Sequence, residues 1–144
     1  MTNPLIIPAA PLDAAELALD EAPLLMVNLL RFHDEARYDP GDGHAPCSGR
    51  EAYYDRYVAI FRQLTAGQAI APEWRGSVGA AIVGADGEAW DEVVIVRYPS
   101  VAAFRAIVDA AAYREIAAPH RRAALADWRL IATTPAPLAA GANA

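Results

Sequence analysis

The stretch Leu24–Phe32, with the sequence LLMVNLLRF, decides the fold. It is apolar at both alternating sets of positions, and only Asn28 and Arg31 interrupt it. Because successive side chains of a strand point to opposite faces of a sheet, this pattern predicts a strand that is covered on both faces. Asn28 then lies on one face of that strand and Arg31 on the other.

Helices are expected on either side of this strand. Residues 12–20 are predicted to form a short helix, because Asp13 and Glu16 resemble a capping box at its start. The sequence Ser48-Gly49-Arg50-Glu51 is a capping box that predicts a second helix. A further helix is expected after Ser100, and it is broken into two pieces before a last strand begins.

Three more strands are predicted from apolar runs. They cover Trp74–Val83, Trp90–Tyr98 and Trp128–Thr134. The Asp-Gly pair at positions 86 and 87 favours a turn between the first two of these strands. Residues 33–47 contain two prolines and two glycines and are expected to form a long loop.

After the leading helix, the predicted order is β-α-β-β-α-β, which is the ferredoxin-like arrangement of an α+β fold. The domain is expected over residues 23–134, preceded by an extension over 1–22 and followed by a flexible tail over 135–144. Such a sheet carries helices on one face only, whereas its strands are apolar on both. A second copy of the chain packed sheet to sheet would cover the other face, so a homodimer is predicted. The alternative is a monomer covered by the helix at residues 12–20.

Composition restricts the functional classes. The chain has 144 residues, of which 55% are hydrophobic and 21% charged, and a formal net charge of −6. All twelve cationic residues are arginine. The acidic balance argues against a nucleic-acid partner, and the absence of a long apolar run argues against a membrane partner or a signal peptide. Cys47 is the single cysteine, which predicts a cytoplasmic location.

Several segments resemble a bacterial family called domain of unknown function 1330. The resemblance covers residues 23–134 and is carried by Met26–Phe32, Tyr38, Ser48–Tyr53, Trp90-Asp91, Tyr98-Pro99-Ser100, Phe104 and Tyr113. The resemblance implies a dimeric α+β barrel and implies no particular reaction. The wider fold group contains cofactor-free monooxygenases, isomerases, haem enzymes and ligand-binding regulators, so the fold does not select a function.

Asn28 and Arg31 are the first candidate site residues. A buried amide needs hydrogen bonds, so Asn28 either orients a ligand in a cavity or makes a structural bond to its neighbours. Arg31 lies at the end of its strand, near the start of the third strand. It is expected either to pair with Asp91 or Glu92, or to clamp a carboxylate ligand.

Aromatic residues and one histidine complete the predicted site. Tyr53 and Tyr57 share a face of the second helix and form either part of the core or the wall of a ligand cavity. Trp90 begins a strand and is expected to line the same cavity. His33 follows the first strand and is either an exposed loop residue or a general base at the mouth of the cavity.

The resulting prediction is a homodimer that binds a small aromatic or carboxylate metabolite between sheet and helices. One alternative is a cofactor-independent monooxygenase or isomerase that uses His33 as the base and Arg31 as the stabilising charge. Another is a structural or interaction module without a ligand. His33, His44 and His120 lack metal-ligand spacing and phosphate-binding motifs are missing, so neither metal nor cofactor is predicted.

Overall fold

Strand β1 (Leu24–Phe32) has the bounds that its apolar run predicts, and it lies inside a four-stranded antiparallel sheet. The computed structural model describes residues 7–138. On one side β1 pairs with β3 (Glu92–Tyr98), and on the other with β4 (Leu125–Thr133). Strand β2 (Ala71–Ser77) pairs with β3, so the order across the sheet is β2-β3-β1-β4.

Four helices connect or precede the strands. Helix α1 is Ala9–Leu19, and helix α3 is Val101–Val108. Helix α2 passes through an α-helical turn, a π-helical stretch and a second α-helical part, which are Gly49–Glu51, Ala52–Tyr57 and Val58–Leu64. Helix α4 consists of π-helical Tyr113–Ala117 and α-helical Ala118–Ala124. The predicted α+β class is therefore confirmed.

The core lies between the helices and one face of the sheet. On β1 this inner face carries Leu24, Met26, Asn28 and Leu30, all of which are buried. The intervening side chains of the same strand remain partly exposed on the outer face. The two faces predicted for this strand are thus unequally covered within one chain.

Two predicted helix caps are confirmed. The Ser48 hydroxyl accepts a hydrogen bond from the Glu51 backbone N–H, and the Glu51 carboxylate accepts one from Ser48, both at 3.0 Å. The Ser100 hydroxyl accepts from the N–H of Ala103 at 3.1 Å. Local hydrogen bonding therefore fixes where α2 and α3 begin.

The predicted start of α1 is wrong. The helix begins at Ala9, and Asp13 and Glu16 lie within it rather than capping it. Their carboxylates instead accept hydrogen bonds from Arg105 of α3, at 2.6 and 2.9 Å. The two acids that resemble a capping box therefore form ion pairs with a residue that is distant in sequence.

The bounds of β2 also differ from the prediction. The strand ends at Ser77, and Ile82 and Val83 are 90% and 93% exposed in the connection to β3. Gly87 has a positive φ of 77°, in accord with the predicted Asp-Gly turn. Strand β4 begins at Leu125, three residues before the predicted start.

Two predictions fall partly on undescribed residues. The extension over 1–22 and the tail over 135–144 include residues 1–6 and 139–144, which lie outside the described part of the chain. Over residues 7–138, no helix is long and apolar enough to cross a membrane.

Candidate functional site

A small cavity lies between the inner face of the sheet and the helices. Its volume is about 20 Å³, which is enough for one water molecule. Eight of its lining residues come from strands and helices, and one precedes α1. They are Ile7, Met26, Asn28, Tyr57, Tyr98, Phe104, Tyr113, Arg121 and Leu130.

Arg121 is the unusual member of this wall. It is 8% exposed, and its Nη2 is buried without a hydrogen-bond partner among residues 7–138. Its guanidinium lies 4.2 Å from the centre of the Trp128 ring, a cation–π contact that compensates part of the lost hydration. The charged neighbours expected of a buried arginine are replaced by tyrosines. The cavity is therefore bordered by a buried positive charge without a carboxylate partner in the described chain.

Tyr53, Tyr57 and Tyr98 are neutral phenols near Arg121. Burial raises the pKa of Tyr53, Tyr57 and Tyr98 above the ordinary value, and the nearby Arg121 only partly opposes this effect. The hydroxyls of Tyr57 and Tyr113 lie 2.9 Å apart and hydrogen-bond to each other. These phenols therefore offer hydrogen bonds to a ligand and do not neutralise the guanidinium.

Asn28 makes the structural hydrogen bonds of one predicted alternative, and it lies beside the cavity that the other alternative requires. Its amide Nδ2 donates to the backbone oxygens of Met26 and Val94, each at 3.2 Å, so the amide makes the structural bonds. The same buried side chain also lines the cavity. The backbone bonds hold the amide in a fixed orientation beside the enclosed space.

Tyr57 lines the cavity, whereas Tyr53 lies one layer behind it. The Tyr53 ring packs 5.2 Å from Tyr57 and 5.6 Å from Phe32, measured between ring centres. Tyr53 is therefore not a lining residue of the cavity, although its phenol interacts with Arg121.

Arg31 and Trp90 do not line this cavity. Arg31 is opposite Asp127 in the pairing of β1 with β4, and its Nη2 lies 3.7 Å from the Asp127 carboxylate. The expected pairing of Arg31 with Asp91 or Glu92 is wrong, because Arg31 pairs with Asp127. Asp91 instead accepts from the backbone of Phe32 at 2.8 Å, and Glu92 pairs with Arg50 and Arg75. Trp90 instead contacts the guanidinium of Arg129, 5.0 Å from its ring centre.

His33 also lies apart from the cavity. It lines an open surface groove of about 500 Å³ together with residues 34–37. Burial lowers the pKa of His33, with smaller contributions from the positive charges of Arg37 and Arg31. The structure thus brings Asn28 and Tyr57 together at the cavity, and it separates His33 from them.

Another polar cluster joins the loop over residues 33–47 to α4. The Tyr38 hydroxyl accepts a hydrogen bond from Arg56 at 3.1 Å and lies 2.7 Å from Nδ1 of His120. His44 packs against His120, with ring centres 4.7 Å apart. Burial lowers the pKa of His120, and His44 and Arg56 lower it further. In the described part of the chain, no group of three or more His, Cys, Asp or Glu residues is arranged to hold a metal ion.

Arg121 was not among the predicted site residues. A signal was nevertheless present. Tyr113 and Ala117 lie eight and four residues before Arg121, and Ala124 lies three residues after it. All three side chains are buried. An arginine inside an apolar stripe of helical spacing indicates a buried charge.

Two crystal structures of the RPA0582 protein from Rhodopseudomonas palustris are similar to this chain at 32% identity. The structure of the methylated protein has a TM-score of 0.80, and the similarity covers 96% of this chain and 99% of that one. This chain belongs to the RPA0582 family. The second RPA0582 structure, described as a protein of unknown function, has a TM-score of 0.73 and covers 94% and 99% of the two chains.

The other comparisons add no relatives to the RPA0582 family. No protein-family model matches the chain. A search of curated proteins finds no match either.

Proposed function

We propose that this member of the RPA0582 family binds a small carboxylate in the cavity between sheet and helices. Arg121 is the anchor for the anion, and Asn28 and Tyr57 provide polar groups beside it. The observation that carries the proposal is the buried Nη2 of Arg121, which has no hydrogen-bond partner among residues 7–138 and belongs to a side chain that lines the cavity.

Burial of an unpaired guanidinium is unfavourable. Removal of a charge from water costs several kcal/mol or more unless an opposite charge and hydrogen bonds compensate. Arginine remains protonated under all ordinary conditions, so Arg121 cannot escape this cost by becoming neutral. A carboxylate would supply both the opposite charge and acceptors that match the planar guanidinium. This chemistry favours a carboxylate over a neutral ligand.

We further propose that the fold is a ferredoxin-like dimeric α+β barrel. The element order β-α-β-β-α-β after α1 and the strand order β2-β3-β1-β4 support this proposal. The outer face of the sheet supports the homodimer, because it leaves Trp74 and Ile131 55% and 49% exposed beside partly exposed Val27 and Ile95. Packing of two such faces would bury the apolar side chains that α1 leaves uncovered.

The remaining predictions stand as proposals. Membership of the domain of unknown function 1330 family and a cytoplasmic location rest on the sequence alone. The monooxygenase or isomerase hypothesis needs His33 as a base and Arg31 as a stabilising charge, and neither residue lines the cavity. In a module without a ligand, no anion would compensate the cost of burying the charge of Arg121.

Thermal unfolding in the presence of sodium formate or sodium benzoate tests carboxylate binding, with sodium chloride at equal ionic strength as the reference. A carboxylate at ten times its Kd raises the free energy of unfolding by about 1.4 kcal/mol, which is roughly 5 °C for a chain of this size. We expect Arg121→Met to abolish this shift. Arg122→Met is the matched control, because Arg122 is the next residue and its side chain is 43% exposed.

The unliganded variant gives an independent result. Methionine fills a similar volume without a charge, so Arg121→Met is expected to match or exceed the wild-type free energy of unfolding, by about 1 kcal/mol. Equal carboxylate shifts in wild type and Arg121→Met would refute the proposed site. So would the complete lack of a shift with both carboxylates.

A further inference from the structure

We infer that the ligand is a monocarboxylate with a compact apolar body, and that this body takes the place of the Ile7 side chain. The inference rests on the proposed function, since it takes Arg121 as the anion anchor. It adds the class of ligand and the part of the chain that must move to admit it.

The enclosed space is too small for any ligand with a body. At about 20 Å³ it accommodates one water molecule, so a carboxylate, which has at least three heavy atoms, must displace part of the wall, and a ligand with a larger body must displace more of it. The lining residues from the sheet, such as Met26, Asn28 and Leu130, are held by strand pairing on both sides of β1. The walls from α2 and α4 are tied together by the bond between Tyr57 and Tyr113.

Ile7 is the lining residue that lies outside every helix and strand. In the described range, no hydrogen bond ties Ile7 to another residue. Pro8 follows it in an extended conformation and precedes α1. Helix α1 itself is anchored by buried Leu12 and by the ion pairs of Arg105 with its acids. Rotation before Pro8 would therefore withdraw the Ile7 side chain without moving α1.

The residues around the space that Ile7 would vacate favour a particular ligand body and a particular charge. Phe104 and Tyr98 stand edge to face with ring centres 5.1 Å apart, and Met26 and Leu130 add aliphatic surface. An aromatic ring or a branched alkyl group fits this environment as Ile7 does. Among the described lining residues, Arg121 is the one cation, so a second carboxylate would be buried without a partner. The ligand therefore carries one negative charge.

Calorimetric titration of the full chain with formate, benzoate and phthalate tests the inference. Ile7→Ala removes the side chain that must move, and Ile7→Val removes one methyl group. Leu17→Ala is the control, because it shortens an apolar side chain of α1 that is 87% exposed. Arg121→Met removes the anchor in each background.

We expect Ile7→Ala to bind benzoate about tenfold more tightly than wild type, because the partly buried Ile7 side chain no longer has to be displaced. Ile7→Val is expected to show a smaller gain in the same direction. The formate affinity of the Ile7 variants and the benzoate affinity of Leu17→Ala are expected to lie within twofold of the wild-type values. This corresponds to a difference in binding free energy of about RT ln 2 or less. Phthalate is expected to bind at least tenfold more weakly than benzoate, since its second charge finds no partner.

The outcomes separate the two proposals. If formate binding depends on Arg121 but Ile7→Ala gives no more benzoate affinity than Leu17→Ala, the displacement of Ile7 is refuted and the carboxylate site stands. Phthalate affinity equal to that of benzoate would refute the single charge. If no probe binds, or binding persists in Arg121→Met, the proposed function itself is refuted.

Discussion

The buried carboxylate of Glu92 provides a sharp test of how the sheet is held to α2. Its side chain is 2% exposed and accepts hydrogen bonds from Arg75 at 2.9 and 3.2 Å. The guanidinium of Arg50 and the hydroxyl of Tyr54 also donate to it. Arg75 in turn stacks on the Tyr54 ring, 4.0 Å from its centre. One carboxylate on β3 thus joins β2 to the start of α2.

Replacement of Glu92 by glutamine removes the charge and keeps the size of the side chain. Loss of one member of a buried ion pair typically costs about 3–5 kcal/mol. Here the two arginines are 50% and 52% exposed, so water compensates part of the loss. We therefore expect Glu92→Gln to lower the free energy of unfolding by about 2–3 kcal/mol.

Urea denaturation at pH 7 measures this loss. The matched control is Glu73→Gln on the neighbouring strand, because Glu73 pairs with Arg97 at 3.3 Å while its side chain is 46% exposed. An exposed pair contributes little, so the control is expected to lose less than about 1 kcal/mol. Equal losses in the two variants would show that burial does not strengthen the Glu92 contacts.

The pH dependence provides a second measurement. Burial raises the pKa of Glu92, but the hydrogen bonds from Arg75, Tyr54 and Arg50 outweigh burial, and the net pKa is lowered. A lowered folded-state pKa stabilises the protein above the unfolded-state value of about 4.3, and this stability is lost as the pH falls through the folded-state pKa. The difference between wild type and Glu92→Gln should therefore narrow below about pH 4.3. A constant difference down to the acid transition would contradict this assignment.

Three other predictions follow from separate contacts. Gly49→Ala is expected to cost about 2–3 kcal/mol in urea denaturation, because the new Cβ would overlap the backbone oxygen of His33, whereas Gly79→Ala meets open space and is expected to cost under about 0.5 kcal/mol. Burial lowers the pKa of His120, so its contribution to stability is full above about pH 6.5 and is lost at lower pH. His120→Gln should therefore reduce the change in melting temperature between pH 7.5 and pH 5.5, and an equal change in wild type and variant would contradict this assignment. Light scattering should give a dimer mass for wild type and a monomer mass for Ile95→Asp on the outer face, and a monomeric wild type would refute the homodimer.

The fold could be predicted where local interactions determine it. The bounds of β1 follow from its apolar run, and the start of α2 follows from a capping box formed within four residues, Ser48–Glu51. Helix α1 was misplaced because its acids pair with Arg105, which is distant in sequence. The end of β2 was misplaced because Ile82 and Val83, although apolar, are exposed in a loop. Long-range contacts and exposure, which spacing does not reveal, account for these differences.

The candidate site was predicted in part. Asn28 and Tyr57 stood out because a polar atom in an apolar stripe requires a partner, and both line the cavity. Arg31 also interrupts an apolar run, but its side chain lies on the outer face of the sheet, where it pairs with Asp127. His33 follows the same strand and lies in a separate groove. Arg121 was missed although it satisfies the same criterion as Asn28. A polar residue in an apolar stripe therefore indicates the site only when the stripe packs into the core, and the sequence does not reveal which of the two faces of β1 does so.

The two π-helical stretches lead to an expectation about the sequence length of related chains. Each widened turn contains one residue more than an α-helix of the same span. The stretches Ala52–Tyr57 and Tyr113–Ala117 place the two tyrosines that meet at the cavity at their end and beginning. Deletion of one residue from the first stretch would turn Tyr57 by about 100° away from Tyr113, and deletion from the second would turn the following Arg121 by the same angle away from Tyr113. Relatives that have abandoned this cavity should therefore differ in length by one residue at these two places, and their alignments with this chain should show paired gaps there.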